Sequence, residues 1–205
     1  MGSKMQTGLL LVIGTILAGI GWMALYPGDP SDGAAATAQA ILDDPTMSKI
    51  ALLMGYGGII AVATGLFFIS RTMALAGGAS AAYTSISMVL FIALIATFIA
   101  GFGLEYGSAE ADSVAEGATL QGVAYALGGA VGLILGIALI LLGIGIVVDK
   151  NFHVIAAALL VVGGLCLMLQ GFVDGDAGDV IEMIAWIGFM LGGLVMGGSS
   201  IKSSS

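Results

Sequence analysis

Apolar residues in this chain do not alternate with polar ones; they run in blocks. The longest block, residues 120–148, contains no charged side chain from end to end. About 20 such residues cross the hydrocarbon of a bilayer as a helix, and no water-soluble fold needs an apolar run of that length. Five further blocks have the same character, at residues 7–26, 50–70, 82–104, 152–173 and 180–198. The pattern therefore predicts an all-α, polytopic membrane helix bundle with six transmembrane helices, forming one domain over residues 1–205. The fourth block is long enough to require tilt or an end projecting beyond the lipid, and the sixth is short. The first follows Lys4 as a secretory leader does, but its apolar stretch is longer than a typical leader core. No small-x-small cleavage site follows it directly, so it is read as a retained span.

Small residues recur within the blocks at a spacing of four. Gly128, Gly132 and Gly136 do so in the fourth, Gly57, Ala61 and Gly65 in the second, and Gly188 and Gly192 in the sixth. Such faces let neighbouring backbones approach and gain dispersion contacts that lipid would otherwise supply. They are the expected packing faces, and their number suggests contact with other membrane subunits or with a second copy.

The charges between the blocks orient them. Asp29, Asp32, Asp43 and Asp44 fall in the first connection, Glu105, Glu110, Asp112 and Glu116 in the third, and Asp174, Asp176, Asp179 and Glu182 in or beside the fifth. Lys49 is the one base among them. Lys4, Arg71, Lys150 and Lys202 fall on the other side, with Asp149 the acid there. Cytoplasmic loops carry the excess of Lys and Arg, so both termini are expected in the cytoplasm and the acidic loops outside. Trp22, Tyr26, Phe102, Tyr106 and Phe172 then lie near the outer boundary, where an aromatic belt is expected, whereas Trp186 lies about two turns into the last span. Gly19-Ile20-Gly21, Gly101-Phe102-Gly103 and Gly171-Phe172-Val173 each precede an acidic connection. A threefold repeat and a general preference of glycine and aromatics for span ends both account for this.

The first connection is the longest, and residues 33–44 within it are rich in helix formers. A short surface helix is expected there, capped by Ser31 or Asp32 and stopped before Pro45, with Ile41 and Leu42 turned to the bundle. Ser48 is the expected cap of the second span. In this region Tyr26-Pro27-Gly28-Asp29, the tract Ala34-Ala35-Ala36-Thr37-Ala38, Ile41-Leu42 and the run from Lys49 to Ser70 resemble a family of six-span prokaryotic integral membrane proteins known only as a domain of unknown function. The resemblance covers the first two spans and the loop between them. It implies a six-helix fold and no activity.

Composition agrees with a membrane location. Of 205 residues, 59% are hydrophobic and 9% charged, with mean hydropathy +1.13, against about 25% charged in soluble domains. Gly is 34 and Pro only 3, which suits packing notches and not a disordered chain. A net charge of -8 argues against nucleic acid as a partner. The expected partners are the lipid bilayer of the cell membrane, other membrane subunits, and cations drawn to the acidic outer face.

Candidate chemistry is sparse. With the third span ending at Leu104, no Asp, Glu, Lys or Arg falls at mid-span, so a proton relay is not expected. Gln121, Gln170, Tyr56, Tyr83, Tyr125, Thr64 and Thr97 are the main intramembrane polar groups and are read as interhelical hydrogen-bonding residues. His153 is the single histidine, at an inner span edge, and is read as a wetted imidazole; no bis-histidine haem site or Ser-His-acid set can be built from it. Cys166 is read as a buried small hydrophobe and the methionines as packing residues. Asp174-Gly-Asp-Ala-Gly-Asp179 is the stretch with ligand character. Asp174, Asp176 and Asp179 form a candidate cation site with Glu182 nearby, although Gly178 and Ala185 stand where a calcium loop wants oxygen ligands. The plainer reading makes Asp179 the cap of the last helix. No cofactor is expected. These features suggest a non-catalytic structural or accessory membrane subunit, with a small transporter or channel for a neutral or cationic solute as the alternative.

Overall fold

The computed structural model describes residues 3–28, 30–170, 172–173 and 175–203. Among these it contains helices and turns and no strand. Helix α1 (Lys4–Gly19) continues into a π-helical stretch, Ile20–Leu25, and a 3-10 turn at Pro30–Asp32 leads to α2 (Ala34–Asp43). Then follow α3 (Pro45–Ala76), α4 (Ala81–Ser108), α5 (Val114–Asp149), α6 (Val154–Leu169) and α7 (Asp176–Lys202).

Local chemistry sets the ends. Ser3 Oγ accepts from Gln6 N at 3.1 Å while Gln6 Oε1 accepts from Ser3 N at 2.8 Å, a reciprocal cap for α1. Helix α2 starts after Gly33, not after a Ser31 or Asp32 cap, and buries Ile41 while Leu42 is half-buried. The cap of α3 is Asp44, which accepts from Met47 N at 3.0 Å, with Pro45 at the first position, where its missing N–H costs nothing. Ser48, the expected cap, sits a turn further in. Its hydroxyl donates to the carbonyls of Asp44 (2.8 Å) and Ile41 (3.2 Å), clasping the end of α2 to the start of α3.

Among the described residues, five helices are long and apolar enough to cross a membrane: α1 with its π-helical end, α3, α4, α5 and α7. The fifth predicted span is shorter than its apolar block. Helix α6 has 16 residues, about 24 Å at roughly 1.5 Å per residue, because regular helix is lost at Gln170 where a glycine-rich polar stretch begins.

The helices form a closed ring. Neighbours in order are α1, α3, α4, α5, α6 and α7, and α7 returns to pack on α1. Gly8 near the start of α1 faces Ile201 and Gly197 near the end of α7, and Gly193 faces Thr15, so these two helices run antiparallel and the chain's two ends share one end of the bundle. A methyl added at Gly14 would stand 2.7 Å from the Gly58 carbonyl, one at Gly136 2.5 Å from that of Gly164, and one at Gly188 2.9 Å from the Gly163 Cα. The α1–α3, α5–α6 and α6–α7 seams are thus backbone against backbone. Around α4 the seams use hydroxyls instead: Ser87 Oγ donates to the Ala138 carbonyl at 2.9 Å and lies 3.3 Å from Ser70 Oγ. The ring's centre is filled by Leu11, Leu66, Phe91, Leu94, Leu135, Leu139, Leu142, Leu160 and Phe189, all fully buried.

Helix α2 lies outside the ring order and packs mainly on α5. Gly117 of α5 faces Ala38, Tyr125 bonds to Thr37, and Gly132 already faces Gln170 beyond the end of α6. The part of α5 that outruns the short α6 is therefore covered by α2.

Candidate functional site

The two ends of the bundle differ in charge, and the polar chemistry gathers at the acidic one. Glu105 is not a solvated loop acid. It lies inside α4, which runs on to Ser108, and is only 7% exposed. The residues one, two and three turns before it, Gly101, Phe98 and Leu94, and Ser108 after it, share its buried face. No Asp, Glu, Lys or Arg stands at mid-span on α4, but Glu105, placed by the sequence in the connection after Leu104, belongs to the last turn of the helix.

Two tyrosines from other helices close on this carboxylate. Tyr26, just past the π-helical end of α1, donates to Glu105 Oε2 at 2.9 Å, and Tyr56 of α3 donates to Oε1 at 2.8 Å. The π-helical stretch matters because it advances the chain beyond regular helical register at this end of α1. Gly21 is thereby seated on Ala51 and Gly55, and the Trp22 indole lies over Gly55. Both tyrosine hydroxyls donate, so each carboxylate oxygen has a strong acceptor role filled.

The rings around the acid touch in sequence. Trp22 stands 4.9 Å from Tyr26 and 5.1 Å from Tyr56, Tyr56 is 5.8 Å from Phe102, and Phe102 is 5.4 Å from Tyr106. Trp22, Tyr26, Phe102 and Tyr106 thus bind α1, α3 and α4 to each other and are not simply an outward-facing belt; Phe172, at 83% exposed, does face outward. Lys49 caps the series at the surface, with its ammonium 5.6 Å from the Tyr106 ring centroid and paired with Glu110.

A second polar group adjoins. Tyr125 donates to Thr37 Oγ1 at 2.7 Å, tying α5 to α2, and Gly28 is held between Thr37 and the Tyr26 ring. Between Gly117 and Tyr125 on α5 stands Gln121, fully buried, with neither side-chain Nε2 nor Oε1 hydrogen-bonded among the described residues.

The remaining predicted residues are placed as follows. Tyr56 and Tyr125 do bond between helices, whereas Thr64 and Thr97 donate to carbonyls of their own helices, Ile60 and Ala93, and Tyr83 is exposed. Of the packing positions, Gly65 faces Leu11, Ala61 faces Gly14, Gly132 and Gly136 face α6, and Gly188 and Gly192 also face α6. A methyl added at Gly57 or Gly128 would meet nothing within 4 Å among the described residues outside its own helix backbone. A spacing of four residues drifts by roughly 40° per step around a helix, so the first member of each triplet rotates off the seam. His153 is exposed and caps α6, its Nδ1 accepting from Ile155 N at 3.3 Å. Cys166 is half-buried, not fully enclosed, and Trp186 packs on Phe189 with ring centroids 6.0 Å apart.

In the candidate cation loop Asp174 lies outside the described residues, as does the side chain of Asp176. Asp179 sits in the first turn of α7, its N–H bonded to the Gly175 carbonyl, so the cap position belongs to Gly175 and not to Asp179. Among the described residues no three His, Cys, Asp or Glu side chains converge as metal ligands. Comparison with protein-family models, curated proteins and solved structures finds no match to this chain.

Proposed function

We propose that this chain is a six-span protein of the cell membrane, with both termini in the cytoplasm, serving as a non-catalytic structural or accessory subunit of a larger membrane assembly. The observation that carries the reading is the filled centre of the ring, where Phe91, Leu94, Leu135, Leu139, Leu142, Leu160 and Phe189 pack side chain against side chain. A conduit needs polar or wetted walls at that depth; this centre has the makeup of a scaffold. Counting α6 as the sixth crossing is supported by the antiparallel order of α5, α6 and α7. Its deficit in length against a roughly 30 Å core is of a size that local thinning and flanking residues accommodate. Outward-facing Gly57 and Gly128 leave flat places on α3 and α5 where a partner helix fits. The distribution of Lys and Arg supports the orientation.

The transporter reading retains one favourable observation, the buried Glu105 with its tyrosines at the acidic end. Extraction from native membranes in mild detergent, followed by mass measurement and identification of co-purifying chains, separates the two. A stable complex with other membrane subunits supports the accessory reading. A strictly monomeric particle that moves a solute across vesicles contradicts it.

A further inference from the structure

We propose that the acidic end of the bundle holds a small monovalent alkali cation, of sodium-like size, between Glu105 and Gln121 beneath α2. Helices α4 and α5 are in antiparallel register, with Ser87 bonded to the Ala138 carbonyl at one level and Ser108 to the Gly117 carbonyl, at 3.1 Å, at another. That register sets Glu105 level with Gln121. Glu105 is on the face shared by Gly101, which meets Tyr56, and Ser108, which meets Gly117. Gln121 is one turn from Gly117, which faces Ser108 and Ala38, and one turn from Tyr125, which bonds to Thr37. Glu105 is thus held on Tyr26 and Tyr56 at the level of Gln121, which shares its face of α5 with the residues that meet α2.

The polar accounting there calls for a ligand. Gln121 is fully buried with both amide atoms unpartnered among the described residues, which is costly unless something satisfies them. Glu105 accepts two phenol hydrogen bonds and forms no ion pair among the described residues; Lys49 at the same end is committed to Glu110 and the Tyr106 face. A carboxylate, an amide oxygen and tyrosine oxygens that keep a lone pair after donating form a hard, all-oxygen set. With one carboxylate, one unit of positive charge balances the site; a divalent ion ordinarily recruits more acidic ligands. The cation satisfies the amide Oε1, while Nε2 has no partner among the described residues.

The test uses the full chain in detergent, with thermal unfolding followed in sodium chloride against choline chloride at equal ionic strength. The expected result is a saturable rise in Tm with sodium and none with choline. Glu105→Gln is expected to abolish the rise, and Gln121→Leu to increase the half-saturating sodium concentration about tenfold. An equal rise in choline, or a full rise in Glu105→Gln, overturns the proposal. So does a Tm that follows pH while ignoring sodium, which assigns the site to a proton. Should Glu105→Gln fail to fold, an unchanged half-saturating concentration in Gln121→Leu is enough to reject it.

Discussion

The Tyr26 hydroxyl, at the end of α1, donates to Glu105 on α4, 79 residues further along the chain, at 2.9 Å. With Tyr56 completing the pair from α3, one carboxylate joins three helices at the acidic end of the ring. Removing either hydroxyl leaves a buried acceptor short of a partner. Tyr26→Phe and Tyr56→Phe are each expected to lower stability by about 1–3 kcal/mol, the cost of leaving a buried acceptor unsatisfied. Because both act on the same carboxylate, the double variant should deviate from additivity. Denaturation of the four proteins in one detergent measures this; single variants as stable as the parent would show that the acid is not the clasp described.

Gly58 and Gly57 are adjacent in sequence and opposite in surroundings. A methyl at Gly58 would stand 2.5 Å from the Gly14 carbonyl oxygen, whereas one at Gly57 meets nothing within 4 Å. Gly58→Val is expected to destabilise by roughly 1–3 kcal/mol through overpacking, and Gly57→Val by less than about 0.5 kcal/mol. Thermal scans of the two variants check the contrast. If Gly57→Val leaves the monomer's stability alone but disperses a native complex, the outward face of α3 is a subunit contact.

Asp44 provides the cap of α3 through its 3.0 Å bond from Met47 N. Asp44→Ala should cost about 1 kcal/mol and Asp44→Asn much less, since an amide oxygen caps nearly as well. Equal losses in the two variants would point to the charge and not to the cap.

The helical class, the acidic and basic ends and the presence of α2 were all legible in the sequence, because apolar run length and loop charge are local properties. The depth of Glu105 was not. Glu105-Tyr-Gly-Ser follows an apolar run and resembles the start of a loop; what buries it is Tyr26 and Tyr56 brought in from other helices. One signal was present nonetheless: Leu94, Phe98, Gly101, Glu105 and Ser108 recur at steps of three and four, and so share one helical face. The glycine step of four does not carry the angle of a seam, as Gly57 and Gly128 show, since a strict step of four rotates away from a straight line of contact. Pro45 reads in the sequence as a stop and so hides Asp44 as a cap, although proline also suits the first position of a new helix.

The two-sided arrangement in a membrane is tested most directly by labelling Asp43→Cys and Lys150→Cys in a Cys166→Ala background, using a membrane-impermeant maleimide on intact cells. The account predicts that cysteine at position 43 reacts from outside and that cysteine at position 150 reacts only after the membrane is opened. Reaction of both from the same side would contradict it.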